Sequence, residues 1–80
     1  MNTFPLQVLR INEQVFVGDV ISVTVPGASG ELTILAKHET ILTSMKSGQI
    51  VIKKEDSSLE SIDIEQGFVE ATKDKVTILL

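Results

Sequence analysis

The sequence predicts an all-β sandwich or barrel, and three observations carry that reading. Apolar residues recur at every second position through several short segments rich in Val, Ile and Thr. Clusters of Gly, Pro, Asn, Asp and Ser interrupt these segments at roughly the 8–12-residue spacing of all-β domains, which gives roughly eight to ten strands. No segment sustains a helical repeat long enough to stand as a helix.

The strands follow in order. From Phe4 to Ile11 the apolar residues run Phe4, Leu6, Val8 and then switch parity to Leu9, Ile11. Such a switch signals a bulge or a strand buried on both faces. Pro5 has no backbone donor, which puts this strand at an edge or Pro5 near its start. Asn12-Glu13-Gln14 reads as a turn, and Val15-Phe16-Val17 as a short run closed by Gly18-Asp19. Val20 to Val25 sets Ile21, Val23 and Val25 on one face against Ser22 and Thr24 on the other.

The stretch from Val25 to Leu35 organises the rest. Pro26 presets the second position of a turn, and Gly27 supplies the positive φ that a type II turn needs next. Leu32 and Ile34 then alternate with Glu31 and Thr33 in a returning strand. This predicts a tip that holds Ala28, Ser29 and Glu31 out from a rigid edge, where they meet another molecule.

Ala36 to Thr40 is a polar break, Ile41 to Met45 a strand, and Lys46-Ser47-Gly48 a turn. Gln49 to Lys54 has Ile50 and Ile52 inward, with lysines at its end that discourage edge pairing. After the hairpin loop at Glu55 to Ser58, Ile62 and Ile64 turn inward. The last hairpin joins Phe68–Thr72 to Val76–Leu80 around Lys73-Asp74.

Composition bounds the function. The 80 residues make one domain, 1–80, with no linker or internal repeat. The net charge of −4 disfavours nucleic acid and anionic lipid as direct partners, because phosphate binding needs clustered Lys and Arg. With no cysteine, neither a disulfide nor a thiolate zinc site is available. No apolar run nears the ~20 residues of a membrane helix, and no secretory signal is predicted at the start.

Catalysis finds no support. His38 is the sole histidine and reads as a turn residue or an interface donor. No Ser or Thr stands in a nucleophile context, so no catalytic residue is predicted. The carboxylates are scattered and the glycines fall singly at turns, so neither a metal nor a phosphate-binding cofactor is expected. Phe4, Phe16 and Phe68 read as core residues rather than stacking platforms.

From Val25 through Leu35, and on to His38 and Leu42-Thr43, the sequence resembles the amino-terminal domain of the epsilon subunit of F-type ATP synthase. Leu6 and Val8 with Phe16 and Gly18 are similar to that family's opening, and Lys46-Ser47-Gly48 to its middle turn. Gln66 to Glu70 and Val76 to Leu79 are similar to its closing hairpin. Ala36-Lys37 stands where the family has Pro-Gly, and Gln66-Gly67 where it has Gly-Gly.

The resemblance implies a ten-stranded β-sandwich of two packed sheets without an active site. It implies a central-stalk subunit that docks the gamma subunit onto the membrane c-ring and couples proton-driven rotation to ATP synthesis. Ala28, Ser29 and Glu31 fall where the family meets the c-ring. His38 and Thr43 fall at the gamma or ring-proximal surface. Membrane association is then indirect, on the cytoplasmic face of the bacterial inner membrane or the stromal face of the thylakoid membrane. The family continues into a helical hairpin that senses nucleotide, and the sequence stops at Leu80, so the domain is not expected to bind ATP. The alternatives are a generic β-sandwich binding module or a lipoyl or biotinyl carrier domain. A carrier would use Lys75, which lies too near the end of the sequence for a mid-domain carrier lysine.

Overall fold

A long second strand holds the architecture together. The computed structural model describes residues 2–37 and 40–80. Among them are eight strands: β1 (Phe4–Arg10), β2 (Glu13–Gly27), β3 (Gly30–Leu35), β4 (Ile41–Met45), β5 (Gly48–Lys54), β6 (Leu59–Ile64), β7 (Gly67–Ala71) and β8 (Val76–Leu79). The first part of β2 pairs antiparallel with β1, from Phe4 opposite Val20 to Arg10 opposite Glu13. Its second part pairs with β3 on one side and β5 on the other. One layer is therefore β4-β7-β8-β1-β2, and the second is β3-β2-β5-β6. The all-β sandwich is as expected. Its strands number eight among the described residues, within the eight to ten read from the spacing and fewer than the ten the resemblance implies; β2 runs through both layers as one element where the sequence pattern predicts two short strands.

Gly18-Asp19 does not break β2, contrary to the sequence reading. Gly18 pairs with Leu6 inside the ladder. A Cβ there would meet only the Phe16 ring at 3.5 Å, so the ring lies over the glycine as an ordinary contact. The parity also differs from the simple alternation. The β2–β5 register shifts between Val20 and Ser22. This bulge turns Val20 inward together with Val23 and Val25 and leaves Ile21 half-buried. The parity switch in β1 does coincide with a bulge, at Val8/Leu9. Pro5 is the second residue of β1, ahead of the β1–β8 pairing that begins at Leu6.

Both layers contribute to one apolar core. From the first come Phe4, Leu6, Val8, Met45, Val69, Ala71, Val76 and Ile78. From the second come Val23, Val25, Ile34, Ile50, Ile52 and Ile64, with Val20 at the crossing. Among the described residues no polar or charged side chain is buried. The first and last strands lie side by side in parallel, Leu6 opposite Val76, and the Leu80 N–H donates to the Leu9 carbonyl at 2.8 Å. This pairing joins the two ends of the chain into one layer. β5 is flanked by β2 and β6, so its lysines do not guard an edge.

Phe68 departs from the core assignment: it is 57% exposed, while Phe4 is buried and Phe16 half-buried. In β7 the inward positions are Val69 and Ala71, which forces Phe68 outward with Glu70.

The β5–β6 loop is built as read, around Asp56. Its Oδ1 accepts from the Ser58 hydroxyl at 2.6 Å and from the Ser58 N–H at 2.9 Å. Ser57 takes a φ of 72°, which the loop closure requires. The Ser58 hydroxyl, then its N–H, hold the Asp56 carboxyl below its ordinary pKa of 3.8. A depressed carboxyl stabilises the fold above its unfolded value and loses that contribution as pH falls through the folded value. Asp56→Ala should therefore flatten the stability profile in that acid window, read by urea unfolding against pH. In the core, Ile50 is fully buried and Leu59 is 68% exposed. Ile50→Ala should destabilise by about 2–5 kcal/mol and Leu59→Ala by less than about 0.5 kcal/mol, read from urea midpoints.

Candidate docking surfaces

The β2–β3 tip is a tight turn rather than a flexible loop. Gly27 pairs with Gly30, and Ala28 and Ser29 occupy the turn, both exposed. The positive φ belongs to Gly30 (136°), not to Gly27 as the sequence reading had it. Gly27 is needed for space instead: a Cβ there would stand 2.8 Å from the Gly30 carbonyl oxygen. Behind the tip, the Thr24 and Thr33 hydroxyls share a hydrogen bond of 2.9 Å across the two strands. Glu31 lies opposite Pro26 with its side chain exposed.

Two backbone bonds fasten this tip to the other layer. The Ala28 N–H donates to the Ser44 carbonyl and the Lys46 N–H to the Pro26 carbonyl, each at 2.9 Å. Gly27 bridges Met45 between them. The three proposed ring-contact residues thus stand together on a fixed edge. Thr43 is elsewhere. It lies on the inward-facing row of β4, opposite the buried Val69, half-buried, with its hydroxyl donating to the Ser44 carbonyl at 3.3 Å. His38 and Glu39 lie outside the described residues.

A second surface was not picked out from the sequence. The ladder places Ser44, Phe68 and Leu79 in one cross-strand row, continued by Leu9 on β1. The next row holds Leu42, Glu70, Thr77, Gln7 and Val17. Leu42 is 72% exposed, Phe68 57% and Leu79 50%. The outer face of this layer therefore presents clustered apolar side chains around Glu70. Monomeric proteins rarely leave such a cluster in water, and its usual meaning is a protein contact. The signal was in the sequence: Phe68 shares parity with Glu70, Leu79 with Thr77, and Leu42 with Ser44.

No helix of the described residues is long and apolar enough to cross a membrane. No trio of described His, Asp or Glu side chains is grouped to hold a metal.

Residues 3–80 match the family model for the β-sandwich domain of the ATP synthase delta/epsilon chain. The chain belongs to that family. All 80 residues align at 40% identity with the ATP synthase epsilon chain of Sulfurimonas denitrificans, covering 62% of that protein. The epsilon chain of a Nitratiruptor species is 39% identical over the same length, again 62% of that protein. The present chain thus spans a little under two thirds of these epsilon relatives. Among solved structures, a chain of the Euglena gracilis mitochondrial ATP synthase OSCP/F1/c-ring assembly superposes with a TM-score of 0.90 at 23% identity. The match covers 96% of this chain and 49% of that one. That likeness extends to the fold. The two relatives are, by name, epsilon chains of ATP synthase.

In this epsilon-family domain the tip geometry makes its own prediction. Gly27→Ala should displace the turn and destabilise by about 1–3 kcal/mol, read by urea unfolding, since the added methyl has no room against the Gly30 carbonyl.

Proposed function

We propose that this domain is the docking module of an F-type ATP synthase central stalk, joining the gamma subunit to the c-ring. The observation that carries the reading is the pairing of two different exposed surfaces on one rigid body. The outer face of the β4-β7-β8-β1 layer offers Leu42, Phe68, Leu79 and Leu9, an apolar patch of the kind that packs against a large permanent partner. We assign it to gamma; Thr43, on the inward-facing row of β4, is not part of this outer face. The tip with Ala28, Ser29 and Glu31 is polar, small and fixed, and we assign it to the polar loops of the c-ring. The epsilon chains of relatives, and the c-ring-containing assembly in which the Euglena neighbour is found, support these partners.

The mechanism is mechanical. Torque passes between shaft and ring through a body that does not deform. Two packed sheets sharing one strand, with an all-apolar core, supply that stiffness. In this role the chain adds no chemical step to ATP synthesis or to proton transport. It keeps ring rotation and stalk rotation in step. An acidic domain next to an anionic membrane needs a protein to hold it there, and the ring does so on the cytoplasmic face of the bacterial inner membrane.

Binding to purified gamma subunit tests the assignment. Phe68→Asp with Leu79→Asp should weaken the affinity by at least about 100-fold, since central apolar anchors commonly contribute about 2 kcal/mol or more each. Both side chains are exposed, so the circular dichroism spectrum should be unchanged. Wild-type affinity in a folded double variant would overturn the gamma assignment.

A further inference from the structure

The seam between the layers brings a second charge up to the acidic tip. Pro26 pairs with Glu31 on one side and accepts the Lys46 N–H on the other. Glu31 and Lys46 therefore stand two strand spacings apart, about 10 Å. Both line one open hollow of about 440 Å³, floored by Pro26, Gly48 and Gln49. The hollow is built firmly. Both turns are joined by backbone bonds, and Gly48 presses so close to Pro26 that a Cβ would stand 3.0 Å from the proline Cβ. No ion pair joins Glu31 to Lys46 or occupies either of them among the described residues. Lys54, by contrast, is neutralised by Glu60 at 2.8 Å.

We infer that Lys46 is a second recognition residue of the ring-docking site, so that the tip works as a clamp of two opposite charges. Glu31 receives a cationic side chain, and Lys46 receives a carboxylate or carbonyl from the same polar loop. A separation of about 10 Å corresponds to about three residues of extended chain. The loop that fits therefore carries its cation and its acceptor about three positions apart. Opposite charges on fixed backbones also set direction: a loop entering the reverse way meets like charges at both ends. Glu31 alone would select a cation without orienting the segment that bears it.

The inference rests on the ring-docking reading, and one experiment separates the two. Binding of the domain to detergent-purified c-ring is measured at low and high salt for wild type, Glu31→Lys, Lys46→Glu and Lys46→Gln. The clamp predicts about a tenfold loss for Lys46→Glu at low salt, a smaller loss for Lys46→Gln, and a gap that closes as salt rises. Affinity for gamma should be unchanged in every variant, which certifies the fold. Wild-type ring affinity in both Lys46 variants, with loss in Glu31→Lys, overturns the clamp and leaves docking by the tip intact. Absence of ring binding by the wild-type domain, or indifference to Glu31→Lys, overturns ring docking and the clamp together.

Discussion

One strand belongs to both layers, and the rest of the molecule depends on that constraint. β2 runs 15 residues from Glu13 to Gly27. It gives its first half to β1 and its second half to β3 and β5. The bulge between Val20 and Ser22 rotates the strand at the crossing, so that Val20 faces the core before it and Val23 after it. Without that extra residue, one half of the strand would direct its valines to solvent, because side chains alternate strictly along a regular ladder. The two layers are in this way covalently continuous, and a domain too small to bury a large core gains a fixed angle between its sheets.

The same strand ends at the tip, which explains why the tip is stiff. Its last residues meet β3 through the Gly27–Gly30 pair and β4 through Met45. Bonds from Ala28 to Ser44 and from Lys46 to Pro26 close the seam on either side. A turn bonded to both layers loses little further freedom when a partner arrives. Preorganisation of this kind lets a small contact hold without a large buried area.

Much of this was legible in the sequence because period-2 alternation is a direct record of which face is buried. The core residues Leu6, Val8, Ile34, Ile50, Ile52 and Ile78 follow from it, and so do the β5–β6 and β7–β8 hairpins. What alternation could not reveal was continuity across Gly18. A glycine inside a strand and a glycine that ends one look alike until the pairing with Leu6 is known. Gly27 misled for a related reason. Its role is steric, set by the Gly30 carbonyl, while the unusual φ falls three residues later. The exposed tip at Ala28, Ser29 and Glu31 could be read from turn chemistry alone. Parity marks the outward side chains of the apolar face one strand at a time, but their assembly into one surface follows only from the pairing of β1, β7 and β8.

The two surfaces differ in the physics they use, and that difference suits the docking role proposed above. An apolar face holds by excluded water, which salt scarcely weakens and which has no preferred direction within the plane. A charged tip of small area adds little affinity but fixes register, because a misplaced charge is penalised. The proposed coupling role would use both: strong attachment to the shaft and a defined angular relation to the ring. Since β4 contributes Leu42 to the outer face and bonds to the tip through Ser44 and Met45, the two surfaces share an element. Under the proposed docking role, load entering at the apolar face would reach the tip along strand backbone and its hydrogen bonds. No hinge loop intervenes on that path, which a stalk transmitting torque without slack would require.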